Sequence, residues 1–406
     1  MLLPGRALCT DERRWSEVGV TATVGVTGVE AVVRADAALL EADLAEFLGS
    51  LTAAPAHGGP GAAASVYDAA LRRSLYEPVA DAVGSKVGQE ALPPAAGAPG
   101  GNGAPLRPSM VYWAYRNYRG FPDEVGDQAS SADLATIRRA AVAVRILLKA
   151  AVALDDIQDG SDVRYGEAAL HVTHGVPLAL NTGSWLITAA LRHAADPDVV
   201  DGLVRSIADG FTGQAVDLAA RSARTRAELV AAPHEARVDF WESMAALKTG
   251  TLFGMPLDAA VAALRVAADE RRTLDDAMRR LGLASQLFND LTDIVPELGG
   301  ANTHEDFDGL SNRVFLELLD SAPPALCASG ELAGERLKSF VLGHPRLEQT
   351  LLALAAEAVE LKRAAKDAVH RVCRSERSAA YFDVTIERKG HLIDRLHETV
   401  RQRSGA

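Results

Sequence analysis

The segment LDDIQDGSDVRYG places Asp155, Asp156 and Asp159 at the end of a long apolar run. Asp155 and Asp159 are four apart, so on a helix they share a face. Two carboxylates one turn apart can hold hard divalent cations, which in turn can hold phosphate oxygens. Taken alone, the pattern also suits the solvated end of a helix. A second segment, SQLFNDLTDIVPE, carries Gln286, Asn289, Asp290, Asp293 and Glu297. Asn289, Asp293 and Glu297 recur every four residues and form one stripe. Magnesium accepts amide as well as carboxylate oxygen, so an asparagine is chemically tolerable there. The residues before this stripe, LGLASQLF, are apolar or small, so both acidic clusters belong to helices with a buried face. Two such clusters facing one core repel each other unless cations lie between them.

Smaller signals lie between the two. GQAVD supplies Gln214 and Asp217, LKTGTLFG supplies Lys248 and Thr249, and Arg164 follows the first cluster. A lysine among small residues is usually a snorkelling surface residue. Here Leu247, Leu252 and Phe253 surround Lys248, which implies partial burial and an anionic partner.

The elements that must carry these residues are helices. The chain has 406 residues, 48% of them hydrophobic and only 5% aromatic. Helical apolar spacing predicts helices over about 29–51, 66–83, 108–119, 130–158, 177–194, 198–221, 234–252, 256–267, 269–295, 311–320, 333–340, 346–373 and 381–402. The expected fold is all-α, a single large helical bundle over 61–406 behind an N-terminal extension, 1–60. Within that extension, VGVTATVGVTG reads as a short strand pair or a disordered tail. The formal net charge of -12 disfavours nucleic acid as a partner. Cys9, Cys327 and Cys373 are scattered without metal-ligand spacing, which suits thiols in a reducing cytoplasm. No secretory segment is expected. The longest apolar stretch, Ala140 to Leu154, is broken by Arg145 and Lys149, so no transmembrane segment is expected either.

DDIQDGSDVRYG, HGVPLALNTGSWL, GQAVDL, KTGTL and QLFNDLTD together resemble the trans-prenyl diphosphate synthase family, in order and spacing, over about residues 100 to 315. The resemblance implies a helical bundle of the isoprenoid synthase type, normally a homodimer, with two acidic helices facing across a deep apolar cavity. It implies about three magnesium ions holding an allylic diphosphate at the mouth. Asp155, Asp156 and Asp159 would form the first metal cluster. Asn289, Asp290 and Asp293, with Glu297 beyond them, would form the second. Arg164, Lys248 and Thr249 would contact the diphosphate. Gln214, Asp217 and Gln286 would line the site above the tail. Asp155, Asp159, Lys248 and Asp290 would carry the catalysis. Ala150 and Ala151, one turn below the first aspartate, would leave room for a long tail, as in farnesyl or geranylgeranyl diphosphate.

The sequence also departs from the family. Chain-elongating members hold isopentenyl diphosphate in a second cationic pocket. Here the loop reads GAPLRP, so Ala104 stands where a lysine is usual and Arg107 remains. Leu148 and Tyr165 stand where the family has a polar residue and an arginine. The downstream glycine-lysine segment reads DFDGLSNRV, where Arg313 could substitute. NDLTDIVPE is close to the second metal motif of terpene cyclases. The expectation is therefore a terpene synthase acting on a fifteen- or twenty-carbon substrate. The alternatives are transfer to another acceptor, an elongating synthase, or a non-catalytic subunit. Tyr112, Trp113, Tyr115, Phe211, Trp241 and Phe288 are candidate aromatic liners, or plain core.

Overall fold

The computed structural model describes residues 14–52, 65–84, 105–122, 131–164, 166–295, 307–321 and 333–405. Almost all of them are helical, and the strand content is one two-residue hairpin. Helix α1 spans Arg14–Thr52. It takes in the Thr/Val/Gly stretch read above as a short strand pair or a disordered tail. Extending an existing helix costs far less than nucleating a new element, so weak strand propensity loses here. Val29, Val33, Leu40 and Leu44 form the buried stripe of α1. Asp36 on the same helix is 1% exposed and pairs with Arg116, while the Tyr381 hydroxyl donates to it at 3.1 Å.

Next come α2 (Val66–Leu71), α3 (Glu77–Gly84) and α4 (Leu106–Arg119). Helix α5, Ser131–Asp159, is the central acidic helix. Beyond it Gly160 turns at φ +66°. The hairpin β1 (Val163–Arg164) and β2 (Glu167–Ala168) then folds back, with Val163 opposite Ala168. This reversal is what brings Arg164 back onto the end of α5.

Helices α6 (Leu170–His174), α7 (Val176–Ala194), α8 (Pro197–Ala219) and α9 (Ala223–Ala231) follow. The sequence pattern did not reveal α9, because it is short, charged and buries only Leu229. Helix α10, His234–Ala245, runs through a π-turn at Ala246–Gly250 into α11, Thr251–Leu264. The break therefore falls at the Lys248 motif. Pro256 lies inside α11 rather than starting a helix. Helix α12, Ala268–Thr292, carries the second acidic stripe. Then come α13 (Arg313–Leu318), α14 (Gly334–Leu342), α15 (Leu347–Val372) and α16 (Glu376–Ser404).

The apolar core has two lobes. One gathers around α4, α5 and α11, and the other around α13, α14 and the first half of α15. Helix α12 joins them, giving Leu274 to the first and Leu287 to the second.

Candidate active site

A cavity of about 790 Å³ lies between the lobes, walled by α5, α8, α11, α12 and α16. Its mouth holds the carboxylates of Asp155, Asp159 and Asp217 on one side, with Asn289 and Asp293 also on its wall. Below, the wall turns apolar with Leu148, Ala151, Leu252, Phe253 and Leu281. The carboxylates of α5 and α8 thus gather at one end of the lining, while Arg145 and Lys149 add basic groups farther down α5.

Lys248 is the hub of the mouth. Its ammonium donates to Asp217 and lies 3.7 Å from Asp155 and 3.8 Å from Asp159. Burial works against the charge, but three carboxylates outweigh it and hold the lysine firmly protonated. The same cation, with Arg164, holds the Asp155 carboxyl below its ordinary range despite a large opposing influence of burial. Asp159 goes the other way. Burial first, and then the Asp155 charge, push it up to about 6. Gln214 Nε2 donates to Asp159 at 3.3 Å, and Arg221 Nη2 donates to it at 3.1 Å.

The lysine reaches this place because of two glycines. A Cβ on Gly213 of α8 would stand 2.6 Å from the Leu247 carbonyl carbon and 2.8 Å from Lys248 Cα. A Cβ on Gly282 of α12 would stand 2.8 Å from the Gly250 nitrogen. The π-turn is therefore clamped backbone to backbone from two sides. It also aims the Thr249 hydroxyl at Gln286 Oε1.

Several expected residues sit elsewhere. Asp156 is 1% exposed and does not line the main cavity; it faces a smaller one beside α3 and α6. There it anchors Arg164, which also donates to Asp155 at 2.6 Å. The spacing explains this: consecutive helical residues point about 100° apart, so Asp155 and Asp156 cannot share the mouth. Asp290, expected among the metal ligands, does line the main cavity, and it accepts three hydrogen bonds at 2.8 Å, from Trp241 Nε1, Gln286 Nε2 and the Arg313 backbone. Burial pushes its carboxyl up to about 7. Arg313 is 6% exposed, stacks over Trp241, pairs with Glu317 and does not line the main cavity. Ala151 lines the cavity, whereas Ala150 is fully buried against α7, its carbonyl 3.5 Å from where a Gly183 Cβ would stand. Of the aromatic candidates, Phe211 and Phe288 line the cavity, while Tyr112, Trp113, Tyr115 and Trp241 are core. Glu297, Ala104 and Tyr165 lie outside the described residues.

Arg221 and Asn312 are among the lining residues that escaped the sequence reading. Arg221 continues the stripe Gln214, Asp217, whose spacing of three and then four was a usable signal. Asn312 caps α13 and donates to the Asp290 carbonyl at 3.0 Å and to Asp293 at 3.3 Å. Nothing local marks it.

Among the described residues, no three carboxylate, imidazole or thiol groups converge as a ready metal site. The carboxylates of Asp155, Asp159 and Asp217 are instead grouped around the Lys248 ammonium. The donors nonetheless fit magnesium in kind: hard oxygen atoms, with Asp155 and Asp159 on one helix and Asn289 and Asp293 on the other.

A family model for polyprenyl synthetases matches residues 96–308. The chain belongs to the polyprenyl synthetase family. This makes it an enzyme of isoprenoid biosynthesis. Its curated relatives include the geranylgeranyl pyrophosphate synthase paxG of Penicillium paxilli, 29% identical over 36% of this chain and 37% of that protein. Another is the dolasta-1(15),8-diene synthase of Colletotrichum gloeosporioides, 31% identical over 43% of this chain and 22% of that protein. The matched stretch thus spans well under two thirds of either. Among solved structures, a polyprenyl synthase from Caulobacter crescentus complexed with calcium and isoprenyl diphosphate superposes with a TM-score of 0.60. It is 20% identical and covers 91% of this polyprenyl synthetase family member and 98% of its own chain. At that identity the likeness establishes the all-helical fold.

Proposed function

We propose that this enzyme ionises a fifteen- or twenty-carbon allylic diphosphate, farnesyl or geranylgeranyl diphosphate, and acts as a terpene synthase. The observation that carries this reading is one cavity that joins a mouth of clustered carboxylates and cations, Asp155, Asp159, Asp217 and Lys248, to an apolar stretch of wall, Leu148, Ala151, Leu252 and Phe253. Asp155 and Asp159, with Asn289 and Asp293 opposite, would hold about three magnesium ions, which supply Lewis-acid neutralisation of the leaving diphosphate. Lys248, held among Asp155, Asp159 and Asp217, presents a fixed cation where negative charge develops on the leaving oxygen. Leu148, Ala151 and Phe253 exclude water from the allylic cation. Gln286 holds Thr249 and Asp290 together and so ties the π-turn to α12.

Two features support a second reading, prenyl transfer. Arg107, Arg145, Lys149 and Lys389 all lie on the wall of the same cavity, so basic groups are present besides those at the mouth. Relatives with the names of synthases and of prenyl transferases both occur. The deciding experiment incubates the protein and magnesium with ten-, fifteen- and twenty-carbon diphosphates, with and without isopentenyl diphosphate, and analyses products by mass spectrometry. A hydrocarbon or alcohol formed equally without isopentenyl diphosphate supports the terpene synthase. A longer prenyl diphosphate formed only with it gives the function to the elongating synthase.

Homodimerisation belongs to this proposal, and so does a cytoplasmic location. No helix among the described residues is long and apolar enough to cross a membrane. Residues 1–60 are proposed as an extension whose α1 packs onto the bundle.

A further inference from the structure

Three cations stand at the mouth, and they are held differently. Arg164 is tethered from behind by Asp156, a buried carboxylate that faces away from the cavity. Lys248 is fixed among three carboxylates on a clamped turn. Arg221 lies just past the end of α8, with its side chain 27% exposed and on the cavity wall. Its backbone is pinned. The Arg221 amide donates to Leu218, its carbonyl accepts from Arg226, and the neighbouring Ala220 carbonyl accepts from the Leu310 amide at 3.2 Å. Its guanidinium donates to Asp159, one of the two carboxylates of the α5 stripe that point into the mouth.

We propose that Arg221 is a diphosphate-binding residue that exchanges Asp159 for the substrate's diphosphate when a divalent cation takes that carboxylate. This rests on the reading of the mouth given above. A doubly charged ion on Asp159 turns the attraction at 3.1 Å into repulsion between like charges. The new anion in reach is the diphosphate that arrives with the metal. A guanidinium matches it, because its planar fork can donate to two phosphate oxygens at once. The exchange leaves no carboxylate and no cation without a counter-charge in either state. It also makes Arg221 a competitor of metal before substrate binds and a partner of substrate afterwards.

That double role gives the test opposite signs. Calorimetric titrations would measure magnesium alone, and magnesium with inorganic pyrophosphate, on the whole protein and on Arg221→Gln and Arg221→Lys. In Arg221→Gln, pyrophosphate with magnesium should bind about tenfold or more weakly, the loss of one charge-assisted pair. Magnesium alone should bind that variant as tightly as the unmodified protein or more tightly. Arg221→Lys should recover part of the pyrophosphate affinity. A residue that merely supports the fold would weaken both titrations together, and that result overturns the assignment. So does unchanged pyrophosphate affinity in Arg221→Gln. If the unmodified protein shows no magnesium-dependent pyrophosphate binding, the reading of the mouth falls and takes Arg221 with it.

Discussion

A carboxylate serves a metal through the lone pairs that protein donors have left, about four on its two oxygens, and the number already taken separates the acidic residues of the mouth. Asp155→Ala should abolish magnesium-dependent diphosphate release while the melting temperature stays close to that of the parent. Asp290→Ala should act differently. It leaves the Trp241 indole, the Gln286 amide and the Arg313 backbone amide buried without their acceptor. Stability should fall by about 2–5 kcal/mol in urea denaturation, since each orphaned donor costs about 1–3 kcal/mol. An Asp290→Ala protein of parental stability would show that those three donors do not depend on Asp290. Asp159 sets a pH dependence. Its folded-state value, about 6, lies above the ordinary carboxyl value of 3.8. The protonated form therefore stabilises the metal-free protein fully below about pH 4, and that contribution is lost as the pH rises through about 6. Metal must displace the proton, so magnesium-dependent pyrophosphate binding should weaken by up to about tenfold per unit below pH 6, measured by titration from pH 5 to 7.5. Much of this chemistry was legible, because aspartates and a lysine on otherwise apolar helices demand partners. The fate of Asp290 was not. Its donors Trp241 and Arg313 are 49 and 23 residues away, and only tertiary packing brings them to it.

Apolar periodicity announced most of the helices, yet the feature that aims Lys248 is a departure from periodicity. Five π-helical residues between α10 and α11 widen the turn and swing Lys248 and Thr249 inward. GQAVD and KTG both stand out in the sequence. Their mutual contact does not, since a glycine reports nothing about which backbone approaches it. Gly213→Ala tests the clamp. The added methyl must displace the backbone at Leu247 and Lys248, because no flexible side-chain end is there to yield. Diphosphate release should fall by at least about tenfold, the scale of one lost transition-state contact of about 1.4 kcal/mol. A parental rate would show that the turn adapts and that the lysine needs no clamp. Ala151 offers a gentler probe of the same cavity. Ala151→Phe fills the tract about 6 Å below Asp155, at 1.5 Å per helical residue. Turnover should shift toward shorter prenyl diphosphates in a competition assay of ten-, fifteen- and twenty-carbon substrates. An unchanged profile would mean that the tail runs along another wall.

At the scale of the whole molecule, the face made by α6, α7 and α8 is unlike the rest of the surface. Val172, Val176, Leu180, Val204 and Phe211 are between 46% and 51% exposed, and they are most of the large exposed apolar side chains among the described residues. Helix α7 carries no charged residue from Val176 to Leu191, although Leu180, Asn181, Ser184 and Thr188 face outward. A solvent-facing helix in a chain with 24% charged residues would ordinarily be laced with them. An apolar patch of this kind marks a surface that is covered. The two-fold pair proposed above would cover it economically, because each α7–α8 face would then meet its own copy. Phe211 links this to the chemistry, since it lies both on that face and in the cavity wall. Leu180→Glu places a charge in the middle of the contact, and Leu180 does not line the cavity. In the dimer it buries two carboxylates without partners, a cost of several kcal/mol. The unmodified protein should sediment as a dimer, and Leu180→Glu as a monomer that keeps its helical circular dichroism. Diphosphate release should fall in that monomer, because the wall at Phe211 then opens to water. A parent protein that sediments as a monomer, or a Leu180→Glu protein that stays dimeric, would place the contact elsewhere. A monomer of undiminished activity would show that each cavity is closed by its own chain.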